Sequence, residues 1–190
     1  MKLTAPVTDS SNKNFMDCGK RVASAALFLC LFGRLFKYFT YMDMIDWQLK
    51  DYNALTVDEL YTVMQLRQAI FIVEQNCVYL DADGKDVESM HLMGYSGEEL
   101  VAYCRIVKPG VSYAEVSIGR VVVKFDVRKF GYGHTLMQQA IAIIESQYGV
   151  VPIRIGAQSY LVRFYEAHGF VQVGKEYMED GIPHRIMLRS

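Results

Sequence analysis

A short stretch, Arg128-Lys129-Phe130-Gly131-Tyr132-Gly133, lies between two runs of opposite character. Before it, Ile118 to Phe125 carries Val121-Val122-Val123 and predicts a buried strand. After it, His134 to Tyr148 sets Leu136, Met137, Ala140, Ile141, Ile144 and Tyr148 on one broad helical face. A strand therefore passes through a glycine-bearing turn into a helix start. Such a turn aims unpaired N–H groups and the positive end of the helix dipole at one spot. Without β-carbons, Gly131 and Gly133 let the backbone approach a phosphate closely. The chemistry this suggests is binding of a pyrophosphate.

Two other phosphate motifs are excluded by their residues. A Walker A loop needs Lys-Ser/Thr after its second glycine, whereas His134-Thr135 follows Gly133. A dinucleotide fingerprint needs a third glycine where this chain has Leu136. The remaining pattern, R-x-x-G-x-G after a strand, resembles motif A of the GNAT superfamily of acyl-CoA-dependent N-acyltransferases. Two glycines also make an ordinary tight connection, so the rest of the chain decides.

The 190 residues suffice for one domain with a substantial core. A net charge of -1 gives no argument for a nucleic-acid partner or an acidic substrate. Cys18, Cys30, Cys77 and Cys104 show neither C-x-x-C spacing nor a metal pattern, so reduced thiols in a cytoplasmic protein, with no metal, are expected.

Residues 1–44 differ from the remainder. Met1 to Asp17 is polar and turn-rich; Lys20-Arg21 then precedes the apolar run Val22 to Phe32. That run is shorter than the roughly 20 residues a membrane span takes. Extending it to Tyr41 brings in Arg34 and Lys37, which are costly at membrane depth. No A-x-A-like cleavage site follows it. An uncleaved anchor or interfacial helix over 20–41, with peripheral membrane contact, is one reading. The expectation adopted is an extension outside the functional protein, because domain-like patterning begins beside Met42 and Met44.

From Ile45 the order reads β-α-β-β-β-α-β-α-β-β. Ile45 to Lys50 alternates as a strand, and Thr56 with Glu59 forms a capping box opening a helix to about Val73. His91 to Tyr95 and Leu100 to Val107 make a hairpin. Pro152 to Gly156 is a short strand; Ser159 is read as the N-cap of a helix to His168, which Gly169 ends. Val171 to Tyr177, a turn Asp180-Gly181-Ile182-Pro183, and His184 to Leu188 complete a mixed α/β sheet with helices on its faces. The loop Glu74 to Ser89 carries Asp81, Asp83, Asp86 and Glu88 in a spacing that does not fit an EF-hand. It is expected to be a solvated rim that attracts a cationic acceptor.

That element order resembles the GNAT fold over 45–190: a mostly antiparallel sheet of about seven strands with a central V-shaped splay. Phe164-Tyr165-x-x-x-Gly169-Phe170 is similar to GNAT motif B. The resemblance implies that Tyr165 is the general acid for a departing thiolate. It implies that Val121, Val122 and Val123 pair with the pantetheine arm of acetyl-CoA. It further implies that Arg128, Lys129, Phe130, Gly131, Tyr132, Gly133 and His134 hold the pyrophosphate, with a Val121 or Val123 N–H stabilising the oxyanion. Several relatives carry a glutamate base where this chain has Ser117, so the base is open; Glu115 is the nearest acid.

At a finer level the chain is similar to the ElaA-type branch. The matching stretches are Met44-Ile45-Asp46-Trp47, Val73 to Cys77, His91, Gly156-Ala157-Gln158 and Glu179 to His184. Glu74, His91 and His184 are thereby candidates for the acceptor side. The expected activity is direct transfer of acetyl from acetyl-CoA to an amine, small molecule or peptide. The rival is a non-catalytic acyl-CoA sensor or interaction module, and a homodimer is left open.

Overall fold

The computed structural model describes residues 45–190; the expectations for an extension or membrane contact within residues 1–44 lie outside the described residues. Strand β1 (Asp46–Asp51) leads to α1 (Val57–Arg67), followed by hairpin strands β2 (Ser89–Ser96) and β3 (Glu99–Val107). Next come β4 (Val116–Val123), α2 (Tyr132–Tyr148), β5 (Ile153–Gln158), α3 (Val162–Glu166), β6 (Val171–Glu179) and β7 (Ile182–Arg189). The seven strands form one sheet in the order β1-β2-β3-β4-β5-β7-β6. Every neighbouring pair is antiparallel except β4 and β5.

The α1 start is the capping box read from sequence. Thr56 Oγ1 accepts from the Glu59 N–H at 3.2 Å, and Glu59 Oε2 accepts from the Thr56 N–H at 2.9 Å. Val63, Leu66 and Ile70 then pack on Met93, Leu100, Tyr103 and Val122 of the sheet. The regular α-helix stops at Arg67, however, and residues Gln68–Glu74 continue as a π-helix. The apolar spacing runs through this change unaltered, which is why the sequence predicts one continuous helix. On the other side of the sheet, Leu136, Met137, Ala140, Ile141 and Ile144 form the buried stripe of α2.

Two features open the sheet at its centre. First, β4 carries a bulge: Tyr103 faces Val122 and Arg105 faces Gly119, so Arg120 and Val121 together oppose Cys104. Arg120 adopts φ +51°, unusual for a residue with a β-carbon. Second, the parallel pairing of β4 with β5 is confined to Val116 with Ile153 and Ser117 with Arg154. Beyond Ser117 the two strands part, forming the V expected from the resemblance.

The aspartates of the acidic loop are tied up in ion pairs rather than left free to attract a cation. Arg67 bonds Asp81 and Asp86 at 2.8 and 2.7 Å, and Arg105 bonds Asp83 and Asp86 at 2.7 and 2.9 Å. Arg120 closes the circle onto Asp81 and Asp83 at 2.7 and 3.3 Å. Three guanidiniums and three carboxylates thus alternate around a ring whose formal charge is zero. Arg67, Asp81, Asp86 and Arg105 are buried. The loop's three aspartates are consumed internally, since buried charges persist only when paired, while Glu88 is exposed. Through Arg120 the ring also holds the bulge of β4.

Two local readings change at the other end. Ser159 is not an N-cap: its hydroxyl donates to Glu176 Oε2 at 2.8 Å, residues Ser159–Leu161 form a 3-10 turn, and α3 is only five residues long. The β6–β7 turn is the pair Asp180-Gly181, both at positive φ, so Ile182 and Pro183 already belong to β7. Pairing of β7 with β5 ends at His184, so no N–H is needed from Pro183 on that side.

Candidate active site

The diverging strands border a cleft of about 750 Å³ lined by β4, β5, the π-helix, the acidic loop and the β6–β7 turn. One wall is the free edge of β4. The Lys124 N–H donates to the Val101 carbonyl at 2.8 Å, which sets the alternation of the strand. Val122 consequently directs its backbone groups to Tyr103 of β3, and its side chain lies in the core. Val121 and Val123 direct theirs away from β3, into the splay. Of the three valines, only these two offer backbone groups for an added strand. Both expected oxyanion donors therefore face the cleft.

The strand leads into a 3-10 turn, Phe125–Phe130, and then Gly131 at φ +79°. A β-carbon there would meet nothing within 4 Å, so glycine is required by conformation and the space above it is open. Helix α2 starts at Tyr132, placing Gly133 in its first turn. A β-carbon on Gly133 would lie 3.6 Å from the Phe164 ring. Not every N–H of this loop is available: Gly131 donates to Arg128 O at 3.3 Å and His134 to Gly131 O at 3.0 Å. Lys129 sits with its ammonium 5.3 Å from the Phe130 ring centre, and Phe130 neighbours Tyr132. The His134 ring pairs with His168, Nδ1 to Nε2, at 2.9 Å.

Tyr165 reaches the cleft from α3. The ring is 7% exposed and set edge-on against Phe164 and Phe170. No described residue hydrogen-bonds its hydroxyl. Burial, with Cys104 and Tyr160 nearby, pushes its pKa above the ordinary tyrosine value, so the phenol keeps its proton at neutral pH. The Cys104 thiol is also pushed up by complete burial, and Cys77 donates its Sγ–H to the Asp180 carbonyl at 3.3 Å. The Cys104 thiol therefore keeps its proton and is not an activated nucleophile.

The acceptor-side candidates separate. Glu74, the last residue of the π-helix, lines the cleft and forms a forked pair with Arg128 at 2.6 and 2.9 Å. His184 lines the cleft too, donating Nδ1–H to Ile182 O at 2.9 Å. His91 does not reach it. Its ring is wholly buried, with Nε2 3.0 Å from the Asp86 carbonyl and Nδ1 2.8 Å from the Tyr103 hydroxyl. A carbonyl only accepts, so Nε2 carries the proton, and burial lowers the pKa and keeps the ring neutral. His91 braces the ion-pair ring and is withdrawn from the acceptor set. Glu115 is likewise engaged elsewhere, forked with Arg154 at 2.6 and 2.9 Å.

Sequence reasoning missed Tyr113 and Tyr177. Their hydroxyls would lie 3.3 and 2.9 Å from a β-carbon on Gly156 of β5, and Tyr113 lines the cleft. Tyr113 sits in an irregular loop with no pattern to mark it. Across the cleft, Gln158 Nε2 donates to Gln75 at 3.0 Å, tying β5 to the segment after the π-helix. Among the described residues, no group of three or more His, Cys, Asp or Glu side chains converges as a metal site. No described helix is long and apolar enough to cross a membrane.

The family profile described as an acetyltransferase (GNAT) domain matches residues 56–189 of the chain. The chain belongs to the GNAT acetyltransferase family. Within it, the chain is 42% identical over 149 residues to protein ElaA of Escherichia coli strain K12, covering 77% of this chain and 97% of ElaA. The crystal structure of Escherichia coli ElaA superimposes with a TM-score of 0.73, covering 77% of this chain and all of that one. A crystal structure of an acyl-CoA N-acyltransferase from Pseudomonas aeruginosa, 40% identical, gives 0.72 over 76% of this chain and 99% of that one. GNAT architecture thus accounts for the splayed central strands, the glycine turn and the tyrosine-bearing helix. The family is one of acyl-CoA-dependent acyltransferases.

Proposed function

We propose that residues 45–190 form an N-acetyltransferase that moves an acetyl group from acetyl-CoA to a primary amine by direct attack in a ternary complex. The observation that carries this reading is Tyr165: a protonated phenol, without a partner among the described residues, at the cleft beside the free edge of β4. The chain's own groups fit a thioester donor. Val121 and Val123 turn backbone groups of β4 toward the splay, the Val123 carbonyl being held by Arg128 Nε, and Gly131 leaves open space at a helix start for a diphosphate. Acetyl-CoA would supply an activated acyl carbon whose leaving group is a thiolate.

Each residue then has a defined task. An N–H of Val121 or Val123 holds the carbonyl oxygen as the amine nitrogen attacks, where negative charge develops. As the C–S bond breaks, Tyr165 gives its proton to the sulfur, and the proton lost by the attacking nitrogen returns the phenolate to phenol through solvent. Direct attack is favoured over an acyl-enzyme route because Cys104 is buried with its thiol pKa pushed up, and Cys77 is buried with its thiol bonded to the Asp180 carbonyl. These free thiols also suit a cytoplasmic setting.

A non-catalytic acyl-CoA sensor needs the strand edge and glycine turn but has no use for Tyr165. A thiol-release screen separates the two. Acetyl-CoA is presented with simple amines, polyamines, aminosugars and peptides, and free CoA is read with a thiol reagent. The enzyme reading expects amine-dependent release well above the amine-free rate for at least one class. Binding of acetyl-CoA without release for any class would favour the sensor.

A further inference from the structure

We infer that the Glu74–Arg128 pair couples donor binding to acceptor binding: the donor's diphosphate takes the guanidinium from Glu74 and frees that carboxylate for a cationic acceptor. The inference rests on the acyltransferase reading above. It starts from the position of Arg128, which belongs to the 3-10 turn leading into the glycine loop yet turns back across the cleft. Its NH1 and NH2 grip both carboxylate oxygens of Glu74, at 2.6 and 2.9 Å. Its Nε donates to the Val123 carbonyl at 3.0 Å, one of the backbone groups that faces the splay. Its guanidinium also lies 5.4 Å from the Phe125 ring centre. One side chain therefore occupies two things a donor would use: a free acceptor on the β4 edge and a cation beside the phosphate loop.

The pair is built to open. Its side chains are 40% and 34% exposed, and exposed ion pairs are weak because water screens them. The buried Arg67–Asp86 pair, at 0% and 11%, is a different case, since removing one partner would strand a charge. A diphosphate carries more charge than one carboxylate and matches the guanidinium fork equally well. Exchange leaves the Glu74 side chain on the cleft wall without its cation. An ammonium-bearing acceptor would then meet an unpaired carboxylate only after the donor has bound. By reciprocity, the acceptor would in turn tighten the donor.

The test needs no acceptor. Affinities of coenzyme A and of pantetheine, which lacks the diphosphate, are measured by calorimetry for the parent, Glu74→Gln and Glu74→Ala. Removing the competing carboxylate is expected to tighten coenzyme A by about fivefold or more, the lower range of ordinary site coupling, and to leave pantetheine unchanged. Two variants are used because glutamine can still accept a bond from Arg128, whereas alanine cannot. Unchanged or weaker coenzyme A binding in both variants would overturn the exchange. An equal gain for pantetheine would also overturn it, by placing the effect away from the diphosphate. A parent protein that binds no coenzyme A would overturn the acyltransferase reading itself.

Discussion

Replacing Tyr165 with phenylalanine is expected to lower turnover by about a hundredfold or more, within the usual range for a lost general acid. The substitution keeps the ring and its edge-on contacts with Phe164 and Phe170 and removes only the hydroxyl. That hydroxyl has no partner among the described residues, so the fold loses no hydrogen bond and thermal stability should barely move. Coenzyme A affinity should also hold, because the proton matters chiefly as the thiolate departs. The defect should shrink for acyl donors with more acidic leaving thiols, which need less help. Because burial holds the phenol above its ordinary pKa of about 10, Tyr165 should impose no alkaline limb on activity below that pH. Equal turnover of variant and parent, measured where chemistry limits the rate, would remove Tyr165 from the mechanism.

The largest effect on stability is expected from the ion-pair ring. Arg67→Met keeps an unbranched side chain but deletes bonds to Asp81 Oδ2, Asp86 Oδ1 and the Asp81 carbonyl, at 2.8, 2.7 and 3.0 Å. Removing one partner from buried charges costs about 3–5 kcal/mol, which lowers the melting temperature of a domain this size by roughly 10 °C. Acid should act on the same ring. Burial opposes ionisation of Asp83 and Asp86, but hydrogen bonds and charge from Arg105 and Arg67 outweigh it and hold both carboxyls below the usual range. Their folded pKa values thus lie below the unfolded value of about 3.9, so their contribution is complete above that pH and fades as pH falls further. Urea melts from pH 7 to pH 3 check this. The parent should weaken only below about pH 4, and Arg67→Met, with Asp86 less well paired, should weaken from a higher pH. Equal urea midpoints for the two proteins at neutral pH would show that the ring adds little.

What the sequence made legible was local. The capping box at Thr56, the glycine turn at Gly131 and the helix-ending Gly169 each follow from a few adjacent residues, and each stands in the structure where the pattern put it. The V of the sheet came from resemblance, and its cause lies in pairings that no short window contains. The ion-pair ring was misread for the same reason: Asp81 and Asp86 find Arg67 14 and 19 positions away, and Asp81 finds Arg120 39 positions away. An acidic run looks solvated until its distant partners are known. The π-helix was invisible because the apolar spacing of Val63, Leu66 and Ile70 suits either kind of helix. His91 was misplaced because a histidine opening a strand reads alike whether it faces a cleft or a core.

Direct evidence for the central claim would come from thermal unfolding with and without acetyl-CoA, for the parent and for Gly131→Glu. A ligand at about a hundred times its dissociation constant stabilises the folded state by about 2.7 kcal/mol, a rise of roughly 5–10 °C for this domain. The variant forces a β-carbon onto φ +79° and sets a carboxylate where the diphosphate would lie. The account predicts a clear rise for the parent and none for Gly131→Glu. No rise for the parent, or an equal rise for both proteins, would contradict it.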